Sequence, residues 1–262
     1  GNLAVNLAQA LHQKGFEIVQ VYSRTEDSAK FLAEKVNAEW TVNLDDVTLK
    51  AALYIVSLKD SAFTDLLPQI VKGKDEALLV HTAGSIPMEI WKDTTTRYGV
   101  FYPMQTFSKE RSVDFQEISF FIEAAQREDV ELLKTIASAL SGKVFEADSQ
   151  QRQSLHLAAV YACNFTNHMY VLSAELLKKY DLPFEVMLPL IDETARKVHE
   201  LSPLEAQTGP AVRGDENVMD KHLDMLLDNP TMHDIYLLLS ENIYRTNEGI
   251  ERPRYGNVLR LD

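Results

Sequence analysis

A small-residue turn at the head of the chain and a Ser-Arg pair further along carry the first chemical signal. Gly1-Asn2-Leu3-Ala4-Val5-Asn6-Leu7-Ala8 matches the second half of a G-x-G-x-x-A loop, of which Gly1 and Ala4 remain. In such a loop glycine lets the backbone approach a pyrophosphate resting on a helix N-terminus. The residue that reads the adenosine ribose follows about twenty positions later, where this chain has Ser23-Arg24. A carboxylate there favours a free 2′-hydroxyl, whereas arginine accommodates a 2′-phosphate. Gly1, Asn2, Leu3, Ser23 and Arg24 are therefore expected to bind NADP rather than NAD. An amphipathic helix that merely opens with glycine would look the same as far as Ala8.

His156 and Asn164 are the candidates for handling a substrate. They stand eight residues apart, a little over two helical turns, so both can lie on one face. Their neighbours Leu157, Ala158, Ala159, Val160, Ala162 and Phe165 are apolar. Polar side chains in that setting either face a cleft or find hydrogen bonds in the interior. Histidine can donate a proton near neutral pH, and asparagine offers both a donor and an acceptor. The segment from Thr208 to Asp215 holds two glycines, a proline and Arg213. It could present backbone N–H groups and a guanidinium to a carboxylate or phosphate, with Thr208 and Arg213 as substrate contacts. Equally, an Arg213–Asp215 pair could simply lock it. There is no G-x-S-x-G elbow and no Cys/His zinc spacing, so no hydrolase triad and no metal are expected. His81, His168, His199, His222 and His233 read as structural or solvent-facing.

Stepping along the chain shows what must position these groups. Up to about Asp148 the pattern alternates. Leu3, Leu7, Ala10 and Leu11 make a helical face ended by Gly15. Residues 17–22 read as a strand, and Asp27 or Ser28 as the cap of a helix bearing Phe31, Leu32 and Val36. Strands are expected at 38–42, 51–58, 77–82, 99–102, 118–122 and near Val144, with a helix at 62–71. The near-continuous apolar run at 51–58 suits a strand covered on both faces. Such alternation predicts a doubly wound, mostly parallel sheet, whose first strand is expected upstream of Gly1. Ligands in such sheets sit at the carboxyl ends of the strands. That rule selects Ser57-Leu58-Lys59, Thr82-Ala83-Gly84-Ser85 and Pro103-Met104-Gln105-Thr106. Lys59-Asp60 could equally be a solvated turn, and Gly84 an ordinary loop glycine. Beyond Asp148 the pattern is helical throughout: a run at 154–180, then 185–201, 217–228 and 232–246. The organisation is thus α/β then all-α, with a dinucleotide-binding domain over 1–148, a helical domain over 149–250 and an extended arm over 251–262.

Composition sets the outer limits. At 262 residues, with 45% apolar and 25% charged residues, the chain is globular. A net charge of −13 argues against a nucleic-acid partner. The single cysteine, Cys163, permits no internal disulfide and suits a cytoplasmic location. No apolar run approaches the roughly 20 residues of a membrane span, so no membrane association is expected.

A Rossmann-like half followed by a helical half resembles the 6-phosphogluconate dehydrogenase-like superfamily. Within it the chain resembles an uncharacterised bacterial family that joins a Rossmann-like NADP-binding domain to a C-terminal helical domain of unknown function. The stretches that carry the likeness are Tyr102-Pro103-Met104-Gln105-Thr106-Phe107, His156 to Asn164 (HLAAVYACN) and Thr208 to Asp215 (TGPAVRGD). The resemblance implies an NADP-dependent oxidoreductase acting on a small polar, anionic metabolite. It places Ser57, Leu58, Lys59 and Gly84 along the cofactor and Gln105 beside the substrate. In hydroxyacid dehydrogenases of this superfamily a lysine stands four residues before the helix asparagine. Here Val160 occupies that position, which leaves His156 as the nearest replacement acid. The resemblance also implies a homodimer formed through the helical domain. The alternative is a non-catalytic NADP-binding sensor or interaction protein on the same scaffold.

Overall fold

The computed structural model describes residues 1–108 and 113–249, so the arm expected over 251–262 lies outside the described residues. The chain divides into two compact units, Gly1–Phe165 and the residues from Thr166 onward.

The first unit opens with α1 (Asn2–Gln13), which buries Leu7 and Leu11. It stops just before Gly15, whose φ of +86° is a left-handed conformation that glycine adopts without strain. Strands β1 (Gln20–Tyr22) and β2 (Glu39–Thr41) pair in parallel, with Val21 opposite Trp40. The strand expected over 17–22 is shorter because its ladder reaches only as far as β2 does. Helix α2 (Glu26–Val36) connects them and is capped at Thr25, not at Asp27 or Ser28. The Thr25 hydroxyl donates to Ser28 Oγ at 2.8 Å, which leaves both expected caps inside the first turn.

A five-stranded sheet follows in the order β3 (Leu53–Val56), β4 (Leu78–His81), β5 (Tyr98–Met104), β6 (Ser119–Ala124) and β7 (Val144–Glu146). Its pairs are parallel except β5–β6, which is antiparallel with Tyr102 opposite Phe121. Helices α3 (Asp60–Val71) and α4 (Arg127–Leu140) complete the alternation, giving the expected mostly parallel α/β layer. Among the described residues no ladder joins the β1–β2 pair to this sheet.

The pleat of β4 sorts the core. Leu78 and Val80 pack with Leu7, Leu11, Phe101 and Leu133 on one face, while Leu79 packs with Phe63, Leu67 and Trp91 on the other. His81, also fully buried, joins the second face. Its ring lies edge-on to Phe63 at 5.7 Å and stacks on Trp91 at 6.3 Å between centroids.

The expected helix over 154–180 begins earlier and is interrupted. Helix α5 (Ser149–Ala159) starts on a capping box, in which Asp148 accepts from the Gln151 backbone N–H at 2.8 Å and the Gln151 side chain accepts from the Asp148 N–H at 2.9 Å. A π-helical turn, Val160–Phe165, follows; such wide turns occur mostly as single insertions and are frequent at functional sites.

The second unit holds α6 (Thr166–Lys178), α7 (Leu188–Glu200), α8 (Glu216–Met225) and α9 (Pro230–Asn247). Lys179 pairs with Asp228 at 2.6 Å, and His222 Nδ1 meets the Tyr236 hydroxyl at 2.8 Å. Among its described residues only Ala211 and Leu226 are buried apolar side chains.

Burial, reinforced by the charge of Arg152, pushes the His81 pKa down to about 3 from an ordinary value of about 6.5. The unfolded chain therefore takes up a proton below about pH 6.5 that the native state refuses until about pH 3. This contribution is complete above pH 6.5 and is lost as pH falls through that window, with a slope of up to about 1.4 kcal/mol per pH unit. His81→Gln is expected to flatten that slope relative to the parent, as read from urea titrations at pH 7, 5.5 and 4.5. Parallel slopes in the two proteins would refute the assignment.

Candidate functional site

The carboxyl ends of β3, β4 and β5 surround a cavity of about 350 Å³. Ser57, Leu58 and Asp60 line it after β3; Thr82, Gly84 and Ser85 after β4; Tyr102 and Gln105 around the end of β5. Leu3 contributes from the first turn of α1, and His156 from α5. Ser85 Oγ donates to Asp60 Oδ2, which ties the β4 loop to the start of α3.

His156 is half-buried against this wall. Its Nδ1 lies 3.4 Å from the Tyr102 hydroxyl, and the two rings meet edge to face. Gly84 is required by the closeness of that imidazole rather than by its backbone angles. A Cβ added there would stand 2.7 Å from His156 Nδ1, and its φ lies outside the left-handed region. Burial raises the pKa of Tyr102, and the positive charge of Arg152 opposes the rise.

Below the pair lies a buried ionic network. The Arg152 side chain is fully buried and forms a salt bridge with Glu123 of β6. It also donates to the Ile86 carbonyl at 2.6 Å and to Ser149 Oγ at 3.2 Å. Ser149 Oγ donates to Glu123 at 2.9 Å and accepts from the Met88 N–H at 2.8 Å. The network pins the first turn of α5 to the sheet, and His156 follows Arg152 one helical turn later.

The structure thus brings together Leu3, Ser57, Leu58, Gly84, Gln105 and His156 of the expected residues. Gln105 turns its Oε1 back to accept from the Thr106 N–H at 2.8 Å. Lys59 sits at the cap position of α3 and makes no side-chain cap bond; it is not among the cavity's lining residues. Gly1 caps α1, with open space where a Cβ would stand, and Asn2 donates to the Phe107 carbonyl at 3.1 Å. Ser23 and Arg24 follow β1. The Ser23 N–H donates to the Thr41 carbonyl at 3.2 Å, while Arg24 is exposed and forms no salt bridge among the described residues. Asn164 lies exposed in the π turn and does not line the cavity. Thr208 and Arg213 belong to the second unit, in the turn before α8. There Asp215 caps the helix through the Val218 N–H at 3.3 Å rather than pairing with Arg213. Sequence reading missed Tyr102, Glu123 and Arg152. A glutamate within the mostly apolar strand Ser119–Ala124 was the one available signal, and its partner was not readable from spacing.

Residues 1–84 match the family model described as NADP oxidoreductase, coenzyme F420-dependent. Residues 118–243 match the domain of unknown function DUF2520. A crystal structure of a Bacteroides fragilis protein assigned as an NADP oxidoreductase is 68% identical, with 94% of this chain and 95% of that one covered and a TM-score of 0.90. A Thermotoga maritima protein is 22% identical over 94% of this chain and 97% of its own, with a TM-score of 0.72. An imine reductase from Myxococcus stipitatus in complex with NADP+ is 14% identical over 95% and 91%, with a TM-score of 0.67. The last two show likeness of fold alone. No protein of curated function matches the chain.

The crowding at Gly84 is testable. Gly84→Ala is expected to cost about 1–3 kcal/mol through overpacking when measured by denaturant unfolding. The same substitution in a His156→Ala background is expected to cost almost nothing, because residues in contact couple. Equal costs in both backgrounds would show that the imidazole is not what excludes a side chain.

Proposed function

The chain belongs to the family of NADP oxidoreductases that join an NADP-binding domain of the F420-dependent type to a DUF2520 domain, and from that premise we propose that it is a cytoplasmic NADP-dependent oxidoreductase acting on a small polar substrate. The observation that carries the reading is the Tyr102–His156 pair on the wall of a cavity at the strand ends.

The residues present fit the cofactor. Gly1 leaves room beside the first N–H groups of α1, and a helix N-terminus attracts a pyrophosphate. Ser23 and Arg24 offer a hydroxyl and a guanidinium without a salt bridge among the described residues to the 2′-phosphate. Leu3, Ser57, Leu58, Lys59 and Gly84 are assigned to the ribose and nicotinamide side. When bound, NADP supplies or accepts a hydride. The protein's share is then to orient the substrate, exclude water and manage one proton. Tyr102 Oη presents its proton towards the cavity, and His156 Nδ1, 3.4 Å away, is placed to donate the replacement. Leu3 and Leu58 keep the wall beside them apolar.

Calorimetric titration tests the cofactor assignment. NADPH is expected to bind more tightly than NADH, and Arg24→Ala to weaken NADPH about tenfold or more while leaving NADH nearly unchanged. Equal affinities in the unaltered protein would overturn it. Nicotinamide absorbance, followed over imines, oxo-acids and hydroxy acids, tests the chemistry. Tyr102→Phe and His156→Ala should retain NADPH affinity and lose about 10²-fold or more in turnover. Tight NADPH binding without turnover on any of these classes would instead support a binding protein.

We also propose a homodimer formed through the helical unit. Among its described residues Leu188, Leu190, Leu227, Leu237, Leu238 and Leu239 are exposed, Leu227 at 72%. Exposed apolar side chains in this number support an interaction face on this unit. Light scattering at micromolar concentration is expected to give twice the chain mass, and Leu238→Glu to lower it. A monomer mass for the unaltered protein would end the proposal.

A further inference from the structure

We propose that Arg152 is a positioning residue for the Tyr102–His156 pair: it locks α5 against the sheet and, with Glu123, sets the electrostatic field in which the Tyr102 hydroxyl ionises. The proposal rests on the reading of that pair as the proton-handling group.

Geometry carries the argument. Tyr102 stands directly opposite Phe121 across the β5–β6 ladder, and Glu123 opposite Val100. Directly opposed residues share a sheet face, which makes Glu123 the diagonal neighbour of Tyr102, about 7–8 Å away by sheet geometry. Arg152 forms a salt bridge with that carboxylate with no part of its side chain exposed. His156 lies four residues further along α5, on the same helix face, and touches Tyr102 at 3.4 Å. A buried ion pair is a poor way to gain stability, because an apolar replacement of equal volume often does as well. Here it does something an apolar pair could not, since it places opposite charges one strand and one helical turn from a tyrosine hydroxyl.

Every charged or titratable neighbour of Tyr102 enters the balance. From α5 come Arg152 and His156, and from β6 Glu123. Glu89 reaches the network through Ser149 Oγ at 3.4 Å. Asp60 lies across the cavity, engaged with Ser85. His81, at the end of β4, is buried and held neutral by burial and by Arg152. Burial makes Tyr102 a weaker acid, and the Arg152 charge works against burial. A tyrosine so placed yields its proton more readily than its burial alone would allow, and it draws a replacement from His156 without either group leaving the wall.

The test uses the protein with neither cofactor nor substrate, so it can fail while the oxidoreductase reading stands, and the reverse. The protein is labelled with ¹³C-tyrosine, the Tyr102 signal is identified by its loss in Tyr102→Phe, and its titration is followed into alkaline pH. Arg152→Met removes the cation and is expected to move the titration up by about one pH unit, the order expected of one charge at an effective dielectric of about 20. Glu123→Gln removes the counter-charge, keeps a hydrogen-bond acceptor for Arg152, and is expected to move it down. A purely structural role would loosen the site in both variants and shift both titrations towards the ordinary tyrosine value, in the same direction. Shifts of the same sign, or none, overturn the proposal. If Arg152→Met does not fold, Arg152→Lys decides with Glu123→Gln: a lysine variant whose titration falls towards the ordinary tyrosine value along with that of Glu123→Gln refutes the proposal, and one that keeps the parent titration supports it. Arg152→Lys, which keeps the charge but not the planar fork, should restore the titration more fully than the bond to the Ile86 carbonyl.

Discussion

The salt bridge between Arg152 and Glu123 is the interaction on which the site's geometry depends. A guanidinium with no exposed surface is tolerable only if its donors are met inside the fold. Its two terminal nitrogens are met by three separate pieces of chain, β6 through Glu123, the loop after β4 through the Ile86 carbonyl and the first turn of α5 through Ser149, while Nε has no partner among the described residues. Pairing those two nitrogens therefore fixes the mutual placement of a strand, a loop and a helix. Breaking such a pair from one side leaves a buried charge uncompensated, which costs several kcal/mol. The arrangement is accordingly intolerant of half-measures.

The remaining site follows from that fixed point. With α5 held at its first turn, His156 arrives one turn later against the loop after β4. The loop must be bare there, and Gly84 makes it so. With the imidazole seated over Gly84, its Nδ1 comes within reach of the Tyr102 hydroxyl. Residues distant in sequence thus meet through a chain of steric and ionic necessities. No single element carries the site.

Much of the α/β half was legible because its signals are local. The apolar run at 51–58 and the strand at 77–82 gave β3 and β4, and the rule of strand carboxyl ends picked out Ser57, Leu58, Gly84 and Gln105, all of which line the cavity. Sequence spacing also singled out His156, but for its distance from Asn164, whereas the structure gives it Tyr102 as partner. The π turn explains the difference. A 3.6-residue period run through 154–180 assumes one unbroken helix, and Val160–Phe165 breaks that period between His156 and Asn164. The cap expected at Asp27 or Ser28 falls instead on Thr25, because short polar side chains there are chemically alike and only the backbone tells which stands outside the helix. The roles of Tyr102, Glu123 and Arg152 were not legible, since their pairing comes from the antiparallel register of β5 and β6 and from tertiary docking.

The separate β1–β2 pair has its own consequence. It shares no backbone ladder with the larger sheet among the described residues. Its ties are side-chain packing of Val5, Ala8 and Ile18 around Val21, Leu32 and Val36, and the Gln20 side chain, which bonds the Thr48 N–H at 2.7 Å and the Asp46 carbonyl at 3.2 Å. A segment held this way forms a small cooperative unit that opens at lower free energy than the core strands. Its amide protons should exchange with solvent well ahead of those in β4. Because Ser23 and Arg24 ride on this unit, any ligand they grip must also bear the entropy of quieting it. The discrimination proposed for these two residues would then be partly dynamic, set by how firmly the small sheet is held before anything binds.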